Sequence, residues 1–202
     1  MDTPILSFTD KGHGPAVVLV HGFPIDRRMW DAQLAELAGH HRVIVPDLRG
    51  LILVDTKAEA DSPQQREGRA KMIDLVRKSG AKAVADEMLP KLVAEDTPRT
   101  RPAVAAAVRK MAEACPSKTI EHALVAMRDR PDRSDQLPSI AVPTLIIVGD
   151  ADAITPVAVA ESMQKRIPNA RLAVIKGSGH MSPMEQPAQV NQAMSRFLRE
   201  QG

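Results

Sequence analysis

The sequence has few aromatic residues and a single cysteine. Three Phe and one Trp are its only aromatic residues, and Tyr is absent, so any ligand pocket would be lined mostly by aliphatic Leu, Val and Met side chains. One cysteine, Cys115, excludes an intrachain disulfide. We expect Cys115 to be a small packed side chain rather than a nucleophile, and we expect a reducing, cytoplasmic location.

Neither charge of one sign nor long apolar runs dominate the chain. Lys and Arg total 27 against 25 Asp and Glu, and they are interspersed, which excludes the basic stripe typical of nucleic-acid or anionic-membrane binding. The longest apolar stretches have the length of strands, too short to span a bilayer. We also expect no signal peptide. His13, His40, His41 and His122 lack metal-ligand spacing, so no metal is expected.

Strand and helix patterns alternate in the first and last thirds of the sequence. Runs such as "AVVLVHG" (16–22), "TLIIVG" (144–149) and "RLAVIKG" (171–177) are typical of parallel strands covered by helices on both faces. From residue 57 to 133 these runs give way to Ala-, Arg- and Glu-rich helix patterns punctuated by Pro. The sequence therefore predicts a discontinuous α/β core, residues 1–56 and 134–202, with a helical cap insertion at 57–133. "SPQQ" (62–65) predicts a capping box at the first inserted helix.

Polar residues follow three of the predicted strands, in "HGFP" (21–24), "GDADAITP" (149–156) and "GSGHMSPMEQP" (177–187). Functional groups gather beyond the carboxyl ends of parallel strands. A carboxylate on one of these loops and an imidazole on the next could converge, with the acid orienting a histidine that acts as general base. Backbone amides in the turn after His21 and Gly22 could face a developing oxyanion, since Gly allows close approach.

These motifs resemble the α/β-hydrolase family, in particular the branch of carboxylesterases and 3-oxoadipate enol-lactone hydrolases with a small helical cap. The resemblance implies Asp152 as the triad acid, with Asp150 as the nearest rival, and His180 as the base. It also implies an oxyanion-hole amide at Phe23, in a turn shaped by His21 and Gly22. The implied partner is a small ester or lactone, with no cofactor, metal, nucleic acid or membrane.

The nucleophile of this family is missing. Its serine lies on a sharp strand-to-helix turn, G-x-S-x-G, and no Ser of this sequence has glycines two residues before and two after it. In "VIVPDLRGLILVDT" (43–56), Leu51 follows Gly50 immediately. The resemblance implies that a helix, the nucleophile strand and the following helix should stand between these two residues. Two strand-helix steps correspond to about 60 residues.

The short join also restricts how its two apolar runs can pair. Parallel neighbours need a connection of about a dozen residues or more, so the sequence predicts an antiparallel hairpin at 43–54. The alternatives are the family arrangement with a gap, or a sheet completed by a second chain. Loss of a central strand also predicts an exposed sheet edge through which copies of the chain could form a homo-oligomer.

Two functions remain open at this point. The first is hydrolysis of carboxylic esters or lactones with the pair Asp152 and His180, expected to be absent or very weak without a serine. The second is a non-catalytic role, as a pseudoenzyme, a truncated or engineered variant, or a small-molecule-binding protein.

Overall fold

The computed structural model describes residues 8–19, 27–46 and 50–200. The predicted oxyanion residues His21, Gly22 and Phe23 lie outside these ranges. The chain divides into two compact units, residues 1–51 with 196–202, and residues 52–195. The strands in the described ranges are β1 (Phe8–Lys11), β2 (Ala16–Val18), β3 (Arg42–Pro46), β4 (Leu51–Val54), β5 (Thr144–Gly149) and β6 (Ala170–Ile175). The α-helices there are α1 (Asp31–Leu37), α2 (Pro63–Leu92), α3 (Thr97–Thr100), α4 (Pro102–Ala114), α5 (Ser117–Asp129), α6 (Val157–Arg166), α7 (Ser182–Glu185) and α8 (Pro187–Arg199).

The first unit contains a three-stranded sheet of order β1-β3-β2. Strand β1 runs antiparallel to β3, and β2 runs parallel to it. Val43 and Val45 are buried, whereas Ile44 between them is half-buried, as the alternation of side chains along a strand requires. Leu34 of α1 packs into the same cluster. Strand β3 is thus the central strand of its sheet.

The second unit contains a sheet of order β4-β5-β6. All six residues of β5 are buried, which explains their unbroken apolar pattern. Strand β6 pairs with β5 in parallel, from Thr144 opposite Ala170 to Gly149 opposite Ile175. The carboxyl ends of these two strands therefore lie side by side, and so do the loops that follow them.

The predicted antiparallel hairpin at 43–54 is wrong. Strand β3 pairs with β1 on one side and with β2 on the other, whereas β4 pairs with β5 in the other sheet. A strand has only two edges, and both edges of β3 are occupied. The apolar run Leu51–Val54 also gains more beside the buried strand β5 than in a two-stranded ribbon, which is marginal in water.

Helices occupy the segment for which the sequence predicts an insertion. The predicted capping box at the start of α2 is confirmed: the Gln65 amide donates to Ser62 Oγ at 3.2 Å, and the Ser62 amide donates to Gln65 Oε1 at 3.0 Å. Gly80 breaks α2 with a φ of 75°, a left-handed conformation that favours glycine. The bounds of a separate cap domain at 57–133 stay a prediction. No helix in the described ranges is long and apolar enough to cross a membrane.

Candidate active site

An acid and a histidine meet at the carboxyl ends of β5 and β6. Asp152 lies in the loop after β5, His180 lies in the loop after β6, and His180 Nδ1 is 2.9 Å from Asp152 Oδ2. The Asp152 side chain is fully buried, and 22% of the His180 side chain is exposed. The structure thus brings together the two residues that the sequence predicts as acid and base.

The surroundings of Asp152 keep its carboxylate ionised. Oδ1 accepts the amides of Ile154 at 2.8 Å and Thr155 at 2.9 Å, and Oδ2 accepts the Thr155 hydroxyl at 2.7 Å. Burial alone would raise the pKa of Asp152, but the hydrogen bonds from His180 and Thr155 outweigh it and hold the pKa below its usual 3.8. An ionised carboxylate only accepts hydrogen bonds, so His180 Nδ1 is the donor, and in the neutral ring Nε2 is free to accept a proton.

Asp150, the rival acid, has a different position. Its Oδ1 accepts the amides of Gly177 at 2.8 Å and Ser178 at 3.3 Å. Its Oδ2 lies 3.6 Å from Lys176 Nζ. Asp150 therefore stabilises the turn after β6, and Asp152 is the one of the two that bonds to His180.

Two glycines allow the loops of this site to pack closely. A Cβ at Gly149 would lie 2.2 Å from the Gly179 carbonyl oxygen and 2.3 Å from that of Ser178. A Cβ at Gly179 would lie 2.7 Å from the amide nitrogen of Ala94. Real Cβ atoms do not approach backbone atoms so closely, because non-bonded heavy atoms repel each other well inside their optimal separation of about 3.5–4.0 Å. Glycine at these two positions lets the loop that carries His180 lie against the end of β5.

Asp55 is a buried carboxylate that the sequence analysis did not identify. It follows β4 with a φ of 46°, unusual for a residue other than glycine. Its Oδ1 accepts the Gly149 amide at 3.2 Å, and its Oδ2 accepts the amide and hydroxyl of Ser182 at 3.1 and 2.7 Å. Burial raises the pKa of Asp55, an effect that the hydrogen bonds from Ser182 oppose and the charge of Asp152 reinforces. Asp55 ties the end of β4 to the loops after β5 and β6.

Glu185 is a second buried acid that the sequence analysis missed. Its Oε1 accepts the Gly179 amide at 2.6 Å, and its Oε2 accepts the Ala94 amide at 2.9 Å and the Thr97 hydroxyl. Arg101 donates to the carbonyl oxygens of Glu185 at 2.9 Å and of Gly177 at 2.7 Å. The loop that carries His180 is therefore fixed to the helical segment through Glu185. No local motif signals the contacts with Ala94 and Thr97, since these residues lie some 90 positions from Glu185 in the chain.

His180 opens into a cleft of about 290 Å³. Part of the wall is aliphatic, as expected from the scarcity of aromatic residues. The wall also contains three cations, which the sequence did not predict. The lining side chains are Met88, Leu92, Met127 and Ile154, the polar residues Asp55, Thr56, Thr155 and His180, and the cations Lys57, Arg69 and Arg130.

The parallel strands β5 and β6, with an acid and a histidine on successive strand-end loops, define the class of this protein as an α/β-hydrolase. The model of the Ndr family matches residues 38–202. The chain belongs to the Ndr family, within the α/β-hydrolase fold.

Several known proteins are similar to this chain in sequence or structure. A thermophilic esterase from Thermogutta terrifontis is 36% identical, with a TM-score of 0.72 and coverage of 97% of this chain and 93% of that one. The 3-oxoadipate enol-lactonase 1 of Acinetobacter baylyi is 41% identical over 68 residues, which are 34% of this chain and only 25% of that enzyme. YisY of Bacillus subtilis strain 168, an AB hydrolase superfamily protein, is 25% identical over 252 aligned positions that cover 93% of each chain.

Proposed function

We propose that this chain binds a small carboxylic ester or lactone, or the acid derived from it, in the cleft beside His180, and that it has lost the covalent step of ester hydrolysis. One observation carries the proposal: Asp152 orients His180 at 2.9 Å, yet no serine of the sequence lies on a G-x-S-x-G turn. An acyl-enzyme route needs that serine next to the base.

The two serines that flank His180 in sequence do not replace it. Ser178 and Ser182 are fully buried. The Ser178 hydroxyl donates to the Ile175 carbonyl oxygen at 3.1 Å, and the Ser182 hydroxyl donates to Asp55 at 2.7 Å. Each hydroxyl proton is directed away from His180, which supports the absence of a nucleophile.

Loss of a segment between β3 and β4 accounts for the missing serine. The alignment with the Bacillus subtilis protein runs over 252 positions, whereas this chain has 202 residues, so at least 50 of those positions have no counterpart here. The family resemblance places the nucleophile strand between the strand of the oxyanion turn, β2, and the strand that leads into the cap, β4. Among the described strands both are edge strands of their sheets, which supports a lost strand at this place.

A second candidate function is slow hydrolysis by water that His180 activates. The free Nε2 of a histidine held by an ionised acid favours it. Removal of the nucleophile from a serine hydrolase lowers kcat by about a millionfold and leaves a rate about 10³–10⁴-fold above that in water. This second activity would therefore be slow, but faster than the uncatalysed reaction.

Ester turnover separates the two candidates. The assay is release of p-nitrophenol from p-nitrophenyl butyrate by the purified chain, by His180→Ala and by His122→Ala, a matched change at an exposed histidine. We expect all three proteins to match buffer. Slow release lost only in His180→Ala would favour activated water, and rapid turnover would overturn the proposal. Short esters should also raise the Tm, because they bind only the folded state; an unchanged Tm contradicts binding.

A further inference from the structure

Three cations line the cleft beside His180, and one of them, Arg69, has terminal nitrogens that no hydrogen bond within the described residues uses. We propose that the ligand of this cleft carries a carboxylate in addition to the ester, and that Arg69 binds that carboxylate through its two terminal nitrogens. The inference rests on the proposed function, because it names the chemical class of ligand for the same cleft.

The positive charge surrounds one buried acid, Asp61. Arg69 Nε donates to Asp61 Oδ2 at 3.0 Å, Lys57 Nζ lies 3.2 Å from Oδ1, and Arg130 lies 4.0 Å from the same oxygen. Burial would raise the pKa of Asp61, but the hydrogen bonds from Arg69 and Lys57 lower it below 3.8. Three cations thus face Asp61. When Asp55, the acid in the wall of the same cleft, is counted as well, one positive charge remains in surplus at neutral pH.

Two of these cations are engaged in holding the loop after β4. Lys57 Nζ donates to Gln65 Oε1 at 2.9 Å as well as contacting Asp61, and only 12% of its side chain is exposed. Arg130 donates to the carbonyl oxygens of Lys57 at 3.3 Å and Glu59 at 2.6 Å. Both side chains therefore have a structural role that accounts for their presence.

Arg69 differs from them. Its Nε bonds to Asp61, which fixes the plane of the guanidinium. Within the described part of the chain its two terminal nitrogens have no hydrogen-bond partner, and 22% of the side chain is exposed in the cleft. A guanidinium held at Nε presents a parallel pair of N–H groups, the geometry that binds a carboxylate in bidentate fashion.

Arg69 and His180 line the same cleft, together with the aliphatic side chains of Met88, Leu92 and Met127. A ligand that places an ester near His180 and a carboxylate at Arg69 would contact this aliphatic surface with its chain. The ligand class is thus an aliphatic ester that bears a free carboxylate.

A pair of esters that differ by one charge tests this proposal on the unaltered protein. Binding of monomethyl glutarate and of dimethyl glutarate is measured by calorimetry at low ionic strength. We expect the monoester to bind at least about tenfold more tightly, the lower end for a hydrogen bond to a charged group. We also expect added salt to weaken its binding.

Variants then assign the effect to one residue. Arg69→Gln should remove the preference for the monoester, and Arg69→Lys should retain part of it, because charge remains but the bidentate fork is lost. Arg77→Gln is the matched control on the same helix, since Arg77 pairs with Glu121 instead. It should leave the preference intact.

The outcomes separate this proposal from the function on which it rests. Equal binding of the two esters by the unaltered protein overturns the role of Arg69 and leaves ester binding in place. A preference that persists in folded Arg69→Gln also overturns it. Absence of binding by either ester overturns the proposed function itself, and this inference with it.

Discussion

The Glu185→Ala variant tests whether the loop that carries His180 is held by this one buried acid. Removal of the carboxylate leaves the amides of Gly179 and Ala94 and the Thr97 hydroxyl without their acceptor, all in the interior. It also leaves Arg101, 3.6 Å from Glu185 Oε2, without its buried counter-charge. An unsatisfied buried group costs about 1–3 kcal/mol, and a broken buried ion pair costs about 3–5 kcal/mol.

These costs overlap, because they share one carboxylate, so we expect a loss of about 3–5 kcal/mol of unfolding free energy in total. That is a large fraction of the stability of a typical domain, about 5–15 kcal/mol. Urea unfolding followed by circular dichroism measures the loss, with Glu161→Ala as the matched control because Glu161 is exposed on α6. If the unfolding free energy of Glu185→Ala is within about 1 kcal/mol of that of the control variant, Glu185 does not hold the loop.

Three further predictions concern the site and the sheet edge. The pKa of Asp152 lies below its usual 3.8, so its ionised carboxylate stabilises the fold above pH 3.8, and this stabilisation is lost as the pH falls through the lower pKa of the folded state. The difference in unfolding free energy between the unaltered protein and Asp152→Asn should therefore become smaller below pH 3.8. A difference that stays constant with pH would contradict this. Gly149→Ala should lower the unfolding free energy measured in urea by about 1–3 kcal/mol or more. Gly68→Ala, whose Cβ meets nothing within 4 Å, should leave the unfolding free energy unchanged or raise it. Equal effects of the two changes would exclude the steric explanation. If copies of the chain associate through β4, the molar mass measured by light scattering should rise with protein concentration, and the Ile52→Lys variant should have a lower mass at the same concentration. A monomer mass that stays constant with concentration would exclude association.

Local pattern was sufficient for much of the fold. The unbroken apolar run at 144–149 predicted a buried parallel strand, because only a strand covered on both faces can bury consecutive side chains. The capping box at Ser62 and Gln65 was readable because both of its partners lie within four residues. Asp152 and His180 could be paired from sequence because each follows a strand and the two strands are neighbours.

The strand order and the residues that surround the site depend on contacts between distant parts of the chain. The hairpin at 43–54 was predicted from one short connection, but the order of strands is decided by which edges other strands occupy. Asp55 meets Ser182 across 127 positions, and no periodicity encodes such a pair. The charge cluster around Asp61 was not predicted either: Lys57 and Arg69 lie within eight positions of it, but Arg130 reaches it from about 70 positions away. Sequence thus predicted that Asp152 and His180 would lie together, and the structure added the residues that hold the two side chains in place.

Intact-mass spectrometry after exposure to a fluorophosphonate tests the loss of the nucleophile most directly. The reagent attaches covalently to a serine activated by a neighbouring histidine, and a competent esterase of the same fold serves as the positive control. We expect the mass of this chain to remain unchanged while the control is labelled. An adduct on any serine that disappears in His180→Ala would show that a nucleophile is present, and the protein would then be an active hydrolase.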